Sequence, residues 1–328
     1  MLFDNFFIKI LEKFAIHNLY CLTKMKWLVI ASSVFETEKK DLINFFEEEV
    51  CDLEFYDFGL HFSNVSDESD EYFHSFKNLC SILENISHCI LLLDGSERSL
   101  AAYHYVMGFL EGKNRPTFVY SSKRTLFAFG HYFSDFHEMK RTIRENFEIY
   151  IQEEKKQYAL RSLFNKGIPF NPDSFSFSIS SADSDICELF YEGGMDVNVC
   201  DAAGIPMVCI AARSGNKEMI EWLIQKGANI NAVSADRGYS PVMDAVWKNN
   251  LEIVSLLVGL GAELNGISRD GQSVLVLATG TGNSAICEVL VKGGADPFVK
   301  DHMGMSAFDY AKLFKKETLV NLYNGYRK

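Results

Sequence analysis

From Met25 onward, short unbroken apolar runs alternate with stretches whose apolar residues recur at helical spacing. Residues 26–32 (KWLVIAS), 52–58, 89–93 (CILLL) and 116–120 read as strands. Between them, residues 36–50 read as an amphipathic helix with Leu42, Ile43, Phe45 and Phe46 on its apolar side, and residues 72–86 and 99–111 as two more helices. Such alternation predicts parallel strands with helices on both faces of the sheet. Ligands of these sheets sit beyond the carboxyl ends of the strands, which places Ser32, Ser33, Asp94, Gly95 and Ser121 around one crevice. Residues 123–133 are aromatic and read as a short strand or a flap. Residues 137–164, rich in Lys and Glu, read as one or two long helices.

The second half follows a different rule. An opening glycine recurs at Gly204, Gly238, Gly271 and Gly304, spaced 34, 33 and 33 residues apart; a closing glycine recurs at Gly194, Gly227, Gly261 and Gly294, spaced 33, 34 and 33. Two markers holding one period imply stacked repeats. The opening glycine supplies a turn, and in the last three units Ser240, Ser273 or Ser306 stands two residues later, where a hydroxyl can cap a helix. Small residues follow at Ala211-Ala212, Ala245 and Ala278. A second helix carries Met219, Ile220, Leu223 and Ile224, or Ile253, Val254, Leu256 and Leu257, before Gly227 or Gly261 stops it. Neither helix pair can bury its apolar face alone, so stacking makes the core. The motif resembles the ankyrin repeat, a β-turn followed by two antiparallel helices. Gly167 and Asn171 keep the Gly-to-Asn step of Gly194/Asn198, Gly227/Asn231 and Gly261/Asn265, so residues 157–171 read as an N-terminal cap, 175–198 as a degenerate first repeat, and 304–328 as the closing cap.

Composition narrows the function classes. With 48% hydrophobic and 23% charged residues, the 328-residue chain reads as soluble and globular with ample core. A net charge of −12 argues against a nucleic-acid partner, whose phosphates demand clustered Lys and Arg. The eight cysteines form no CxxC pair or metal spacing and read as reduced thiols of a cytoplasmic protein; no metal or cofactor is expected. Residues 1–24 carry an apolar stripe interrupted by Asp4, Lys9, Glu12 and Lys13, which disfavours a membrane span or a signal peptide. A docking helix, an interfacial segment or a start codon read too early stay open there.

Around the crevice, SHCILLLDGSERSLAAYHYVMGFLEGKNRPTFVY resembles the nucleoside 2-deoxyribosyltransferase-like group, whose sheet is related to TIR domains. Asp94, Ser99-Leu100-Ala101-Ala102 and Gly112-Lys113 follow that group's layout. The resemblance implies a flavodoxin-like parallel sheet, a nucleotide or nucleoside ligand held near Ser32, Ser33, Asp94, Gly95 and Ser99, and a site completed across a homodimer. Its catalytic glutamate, however, falls on His104, between Tyr103 and Tyr105. An anionic carboxylate stabilises the positive charge that builds on a sugar as its N-glycosidic bond breaks; an imidazole does not. Asp94 and His104 are the catalytic candidates, yet the departure favours a domain without glycosidase activity. The alternative is an active N-glycosidase or deoxyribosyltransferase on nucleosides, nucleotides or NAD, directed by the repeats. No GxGxxG, GxxxxGK[ST] or GxSxG motif offers other chemistry.

The expected architecture is thus an extension (1–24), an α/β domain (25–135), a helical connector and cap (136–172), and an all-α ankyrin solenoid (173–328). Resemblance to ankyrin stacks implies a protein partner on the concave surface, met by Arg213, Ser214, Trp247, Lys248, Gly280 and Thr281, with Trp247 as an exposed anchor. Asp201, Asp236, Asp270 and Asp301 are expected to hold the turns. No membrane or nucleic-acid partner is expected.

Overall fold

The computed structural model describes residues 25–31, 33–49, 51–57, 70–93, 101–121 and 130–326. The chain divides into two compact units, Met1–Lys155 and Lys156–Lys328.

In the first unit, strands β1 (Lys26–Ala31), β2 (Asp52–Asp57), β3 (His88–Leu93), β4 (Thr117–Ser121) and β5 (His131–Phe133) form one parallel sheet in the order β2-β1-β3-β4-β5. Helices α1 (Glu36–Glu49), α2 (Asp70–Glu84) and α3 (Ala101–Gly112) are the crossovers. The strand pleat divides the core in two. Leu28, Ile30, Leu91 and Val119 pack with Leu79, Leu83, Val106 and Leu110 of α2 and α3. Trp27, Val29, Ile90, Leu92 and Phe118 pack with Leu42, Phe45 and Phe46 of α1. Ile43, read from the sequence as part of the apolar side of α1, is instead 39% exposed. The stretch read as one or two helices is two: α4 (Phe136–Glu145), capped by Asp135, and α5 (Phe147–Asn165). Phe136, Met139, Ile143, Phe147 and Ile151 complete the core against α1, so these residues belong to the sheet's own layer rather than to a connector.

The second unit is a two-layer stack. Its first helices are α6 (Pro172–Ser180), α8 (Met207–Ser214), α10 (Pro241–Trp247), α12 (Val274–Thr281) and α14 (Ala307–Leu313). Its second helices are α7 (Ser184–Glu192), α9 (Lys217–Gln225), α11 (Leu251–Gly259), α13 (Ser284–Lys292) and α15 (Glu317–Asn324). Ala211, Ala212, Ala245, Ala278 and Ala311 are fully buried where successive first helices pack side by side. Each second helix but the last begins at a side-chain cap, Asp183, Asn216, Asn250 or Asn283, which accepts from a first-turn amide. Gly227 (φ +95°) ends α9 in the left-handed region; its N–H donates to Ile224 O and that of Ala228 to Leu223 O, the paired bonds of a Schellman cap.

Adjacent repeats are joined by an asparagine ladder. Asn198 Oδ1 accepts from Asn229 N at 2.8 Å, Asn231 Oδ1 from Glu263 N at 2.9 Å, and Asn265 Oδ1 from Asp296 N at 2.9 Å. These are the asparagines of the Gly-to-Asn step, whose role is to satisfy the next repeat's backbone donor. The turns are held at equivalent positions by Asp201, Ser234, Ser268 and Asp301, whose side chains accept from the amides of Ile205, Tyr239, Gln272 and Met305. Asp236 and Asp270, expected in that role, do not occupy it. Three turns close over three residues, as in Gly204 N donating to Asp201 O; the second closes over four, Gly238 N donating to Ser234 O. The 34-residue interval between Gly204 and Gly238 therefore adds its extra residue in this turn. Antiparallel bridges flank the other three turns (Cys200 to Pro206, Ile267 to Ser273, Lys300 to Ser306). Beside the enlarged turn Ser240 makes no capping bond, contrary to expectation, whereas Ser273 and Ser306 cap α12 and α14.

Candidate functional site

The strand order reverses direction between β1 and β3, so the sheet's crevice opens past Ala31 and Leu93. Ser32, Asp94, Gly95 and Ser99 lie outside the described residues, as does the side chain of Ser33. Ser121 ends β4 and is buried. His104 is exposed on α3, and the neighbouring Tyr105 turns onto Phe76 of α2 with ring centroids 4.8 Å apart. Elsewhere in this unit, cavities of about 400 and 430 Å³ share Asp41 and His137 between α1 and α4. Lys140 Nζ lies 2.9 Å from Asp41 there and holds that carboxyl below its ordinary value. His88 is a buried ring, 3% exposed, stacked on Trp27 at 4.5 Å; burial pushes it down to about 3, so it stays neutral.

On the first helices of the second unit, the period places Arg213, Trp247, Gly280 and Leu313 in one row, and Ser214, Lys248, Thr281 and Phe314 in the next. Ser214, Lys248, Gly280 and Thr281 are exposed. Trp247 is 55% exposed, Leu313 62% and Phe314 49%. The Arg237 guanidinium from the enlarged turn lies 5.4 Å over the Trp247 ring and 5.0 Å over Tyr239. Arg269, one turn further on, donates to Asp236 O at 3.3 Å. Outside its chain neighbours and its own helix backbone, no atom of the described residues lies within 4 Å of where a Cβ on Gly280 would stand.

Arg213 is engaged inside the fold. Its two terminal nitrogens meet Asp236 at 3.1 and 3.0 Å as a fork, and its Nε lies 2.9 Å from Oδ1 of Asp244 on the next first helix. The Nε contact is an ion pair whose N–H is not aligned on the carboxylate as in a hydrogen bond. Asp244 is 0% exposed; burial pushes its carboxyl up to about 6 against the pull of Arg213. The hydrogen bond from Arg213 holds Asp236 well below the usual carboxylate range. The sequence signal for this pair is an acidic residue within the apolar run PVMDAVW.

Among the described residues no helix is long and apolar enough to cross a membrane. Residues 175–268 match the family described as ankyrin repeats (3 copies). The chain is 35% identical over 179 residues to a putative ankyrin repeat-containing protein of Treponema pallidum (strain Nichols), an alignment covering 55% of this chain and 60% of that protein. It is also 35% identical over 109 residues to the B-cell lymphoma 3 protein homolog of Mus musculus and to the B-cell lymphoma 3 protein of Homo sapiens, covering 33% of this chain and 24% of each. The chain thus spans less than two thirds of the length of each of these relatives. The turn, the paired helices, the period and these matches agree: the repeats of the C-terminal unit are ankyrin repeats.

Proposed function

We infer that the chain is an interaction protein whose ankyrin repeats bind a protein partner on the first-helix face. The observation that carries this reading is the exposed row of Trp247, Gly280 and Leu313 on side-by-side helices. Ser214, Lys248 and Thr281 flank it and complete the contact set; Arg213 contributes through its hold on the enlarged turn. A photo-crosslinking residue placed at Ser214, Lys248 or Thr281 is expected to trap one protein from cell extract, and the same residue at Glu221, Glu252 or Glu288 on the second helices is not. Equal trapping from both faces would overturn the assignment.

The α/β unit is read as a flavodoxin-like domain that binds a nucleotide or nucleoside in the cytoplasm without cleaving it, a second copy completing its crevice. The strand order supports the fold, and an imidazole at position 104, where the resemblance requires a carboxylate, supports the loss of chemistry. Nucleosides, nucleoside monophosphates or NAD are expected to raise the melting temperature while base release stays at the level of the protein-free control. Release of base by the purified chain would instead assign it an active N-glycosidase, with Asp94 and His104 to be tested first.

A further inference from the structure

The first-helix face and its turns differ in charge from the second-helix face. On the second helices and the loops that follow them, Glu218, Glu221, Glu252, Glu263 and Glu288 are exposed, and Lys217, Lys226 and Lys292 each sit within 4 Å of a glutamate. On the first-helix side the carboxylates are mostly consumed by the fold. Asp236 is held by the Arg213 fork and by Arg237 at 3.6 Å; Asp301 accepts from Met303 N, Met305 N and the Tyr310 hydroxyl; Asp309 caps α14 with Ser306; Asp244 is buried. Asp270 stands exposed at a turn tip. The cations Lys248, Arg269 and Lys315 are exposed on the same side, and Arg237 is half-buried over Trp247. Within the repeat unit the first-helix side is thus close to charge balance, with most of its carboxylates turned inward and Lys248, Arg269 and Lys315 open beside apolar surface, whereas the second-helix side is acidic.

The enlarged turn contributes to this patch. The residue inserted between Ser234 and Gly238 gives this turn room for both Asp236, which locks Arg213, and Arg237, which lies over Trp247. Apolar side chains bracket the patch along the stack: Trp247 on α10, then the uncovered Gly280 on α12, then Leu313 on α14 with Phe314 just beyond it. Helix layers lie about 8–10 Å apart, so Trp247 and Leu313 stand about 16–20 Å apart. An extended segment covers that distance in about six residues.

We propose that this face takes an acidic segment of a partner protein, about six residues between two apolar anchors, whose carboxylates meet Arg237, Lys248 and Arg269 while a middle side chain drops over Gly280. The proposal rests on the reading of the first-helix face as the binding surface and names its ligand. Guanidinium groups bind carboxylates in a fork, and one already stacked on an indole loses little freedom in doing so.

The test is selection of twelve-residue peptides from a random display library on the full chain, followed by binding of the enriched peptides to variants. The expected peptides carry net negative charge with two apolar anchors, and Gly280→Trp weakens them by about tenfold or more, as loss of a central contact does. That substitution fills open space above α12 and leaves the helix its backbone, so a folded variant is obtained. Lys248→Glu with Arg269→Glu is expected to weaken binding by about tenfold, and 0.5 M salt to weaken it as well. Peptides that are neutral or basic but lost in Gly280→Trp overturn the acidic assignment and leave the protein-binding reading standing. Peptides indifferent to Gly280→Trp and Trp247→Ala, or no enrichment, overturn this proposal, and crosslinking then decides the broader one. Competition by single-stranded RNA at equal affinity also overturns it, by naming phosphate as the ligand.

Discussion

Replacing Arg213 by alanine is expected to lower the unfolding free energy of the repeat unit by about 3–5 kcal/mol at pH 7.5, the cost of stranding a buried charge. The substitution leaves Asp244 fully enclosed with only the more distant Arg237 to offset its charge, and releases Asp236 from its fork. The effect has a pH signature. Folded Asp244 titrates at about 6, above its ordinary value of 3.8, so between those values the folded state holds a proton that the unfolded chain has lost. The Asp244 contribution to stability is therefore greatest at the acid end of that window and falls as pH rises through it, by at most about 1.4 kcal/mol per unit. Asp236 is shifted downward, and its contribution is lost only below the ordinary carboxylate range. Urea unfolding at pH 5 is thus expected to show a smaller Arg213→Ala penalty than at pH 7.5, and Asp244→Asn to recover part of the loss in the double variant. A penalty equal at both pH values, with no recovery, would mean that the pair is not what Arg213 supports.

The second large effect is expected from Gly238→Ala, at about 2–3 kcal/mol, against about 1 kcal/mol for Gly227→Ala. Both glycines have positive φ, +67° and +95°, so both substitutions incur left-handed strain. Only at Gly238 would the new Cβ stand 2.6 Å from a backbone atom, the amide nitrogen of Arg269, while at Gly227 it meets nothing within 4 Å. Paired thermal unfolding of the two variants checks this, and equal shifts would show that the close approach of neighbouring turns costs nothing.

Much of the fold was legible because it depends on spacing. The Gly204 and Gly194 series gave the period, the unbroken run CILLL gave the central strand, and the Gly-to-Asn step marked what proved to be the ladder. What escaped depends on partners that spacing does not name. Ser240 looks like Ser273 and Ser306, but it stands beside the one turn with an added residue and makes no cap. Asp236 and Asp270 mark turn tips in the sequence, yet the holding position is three before an ordinary opening glycine and four before Gly238, where Ser268 and Ser234 match Asp201 and Asp301. Arg213 follows an alanine pair, the position that suggests a partner contact, and its ion pair with Asp244 is not legible there because the buried acid comes from the next repeat. The caps Asp183, Asn216, Asn250 and Asn283 recur at the repeat spacing and are legible in the sequence by that recurrence.

The asparagine ladder also limits how such a gene can change length. A duplication or loss in phase with the Gly-to-Asn step inserts or removes a whole storey and leaves every amide at positions 229, 263 and 296 with its acceptor. An insertion of one codon between glycine and asparagine would leave one of those donors unmatched. The extra residue of the second turn lies instead between Ser234 and Gly238, beyond the rungs, where added length becomes new surface chemistry and the asparagine ladder keeps its bonds.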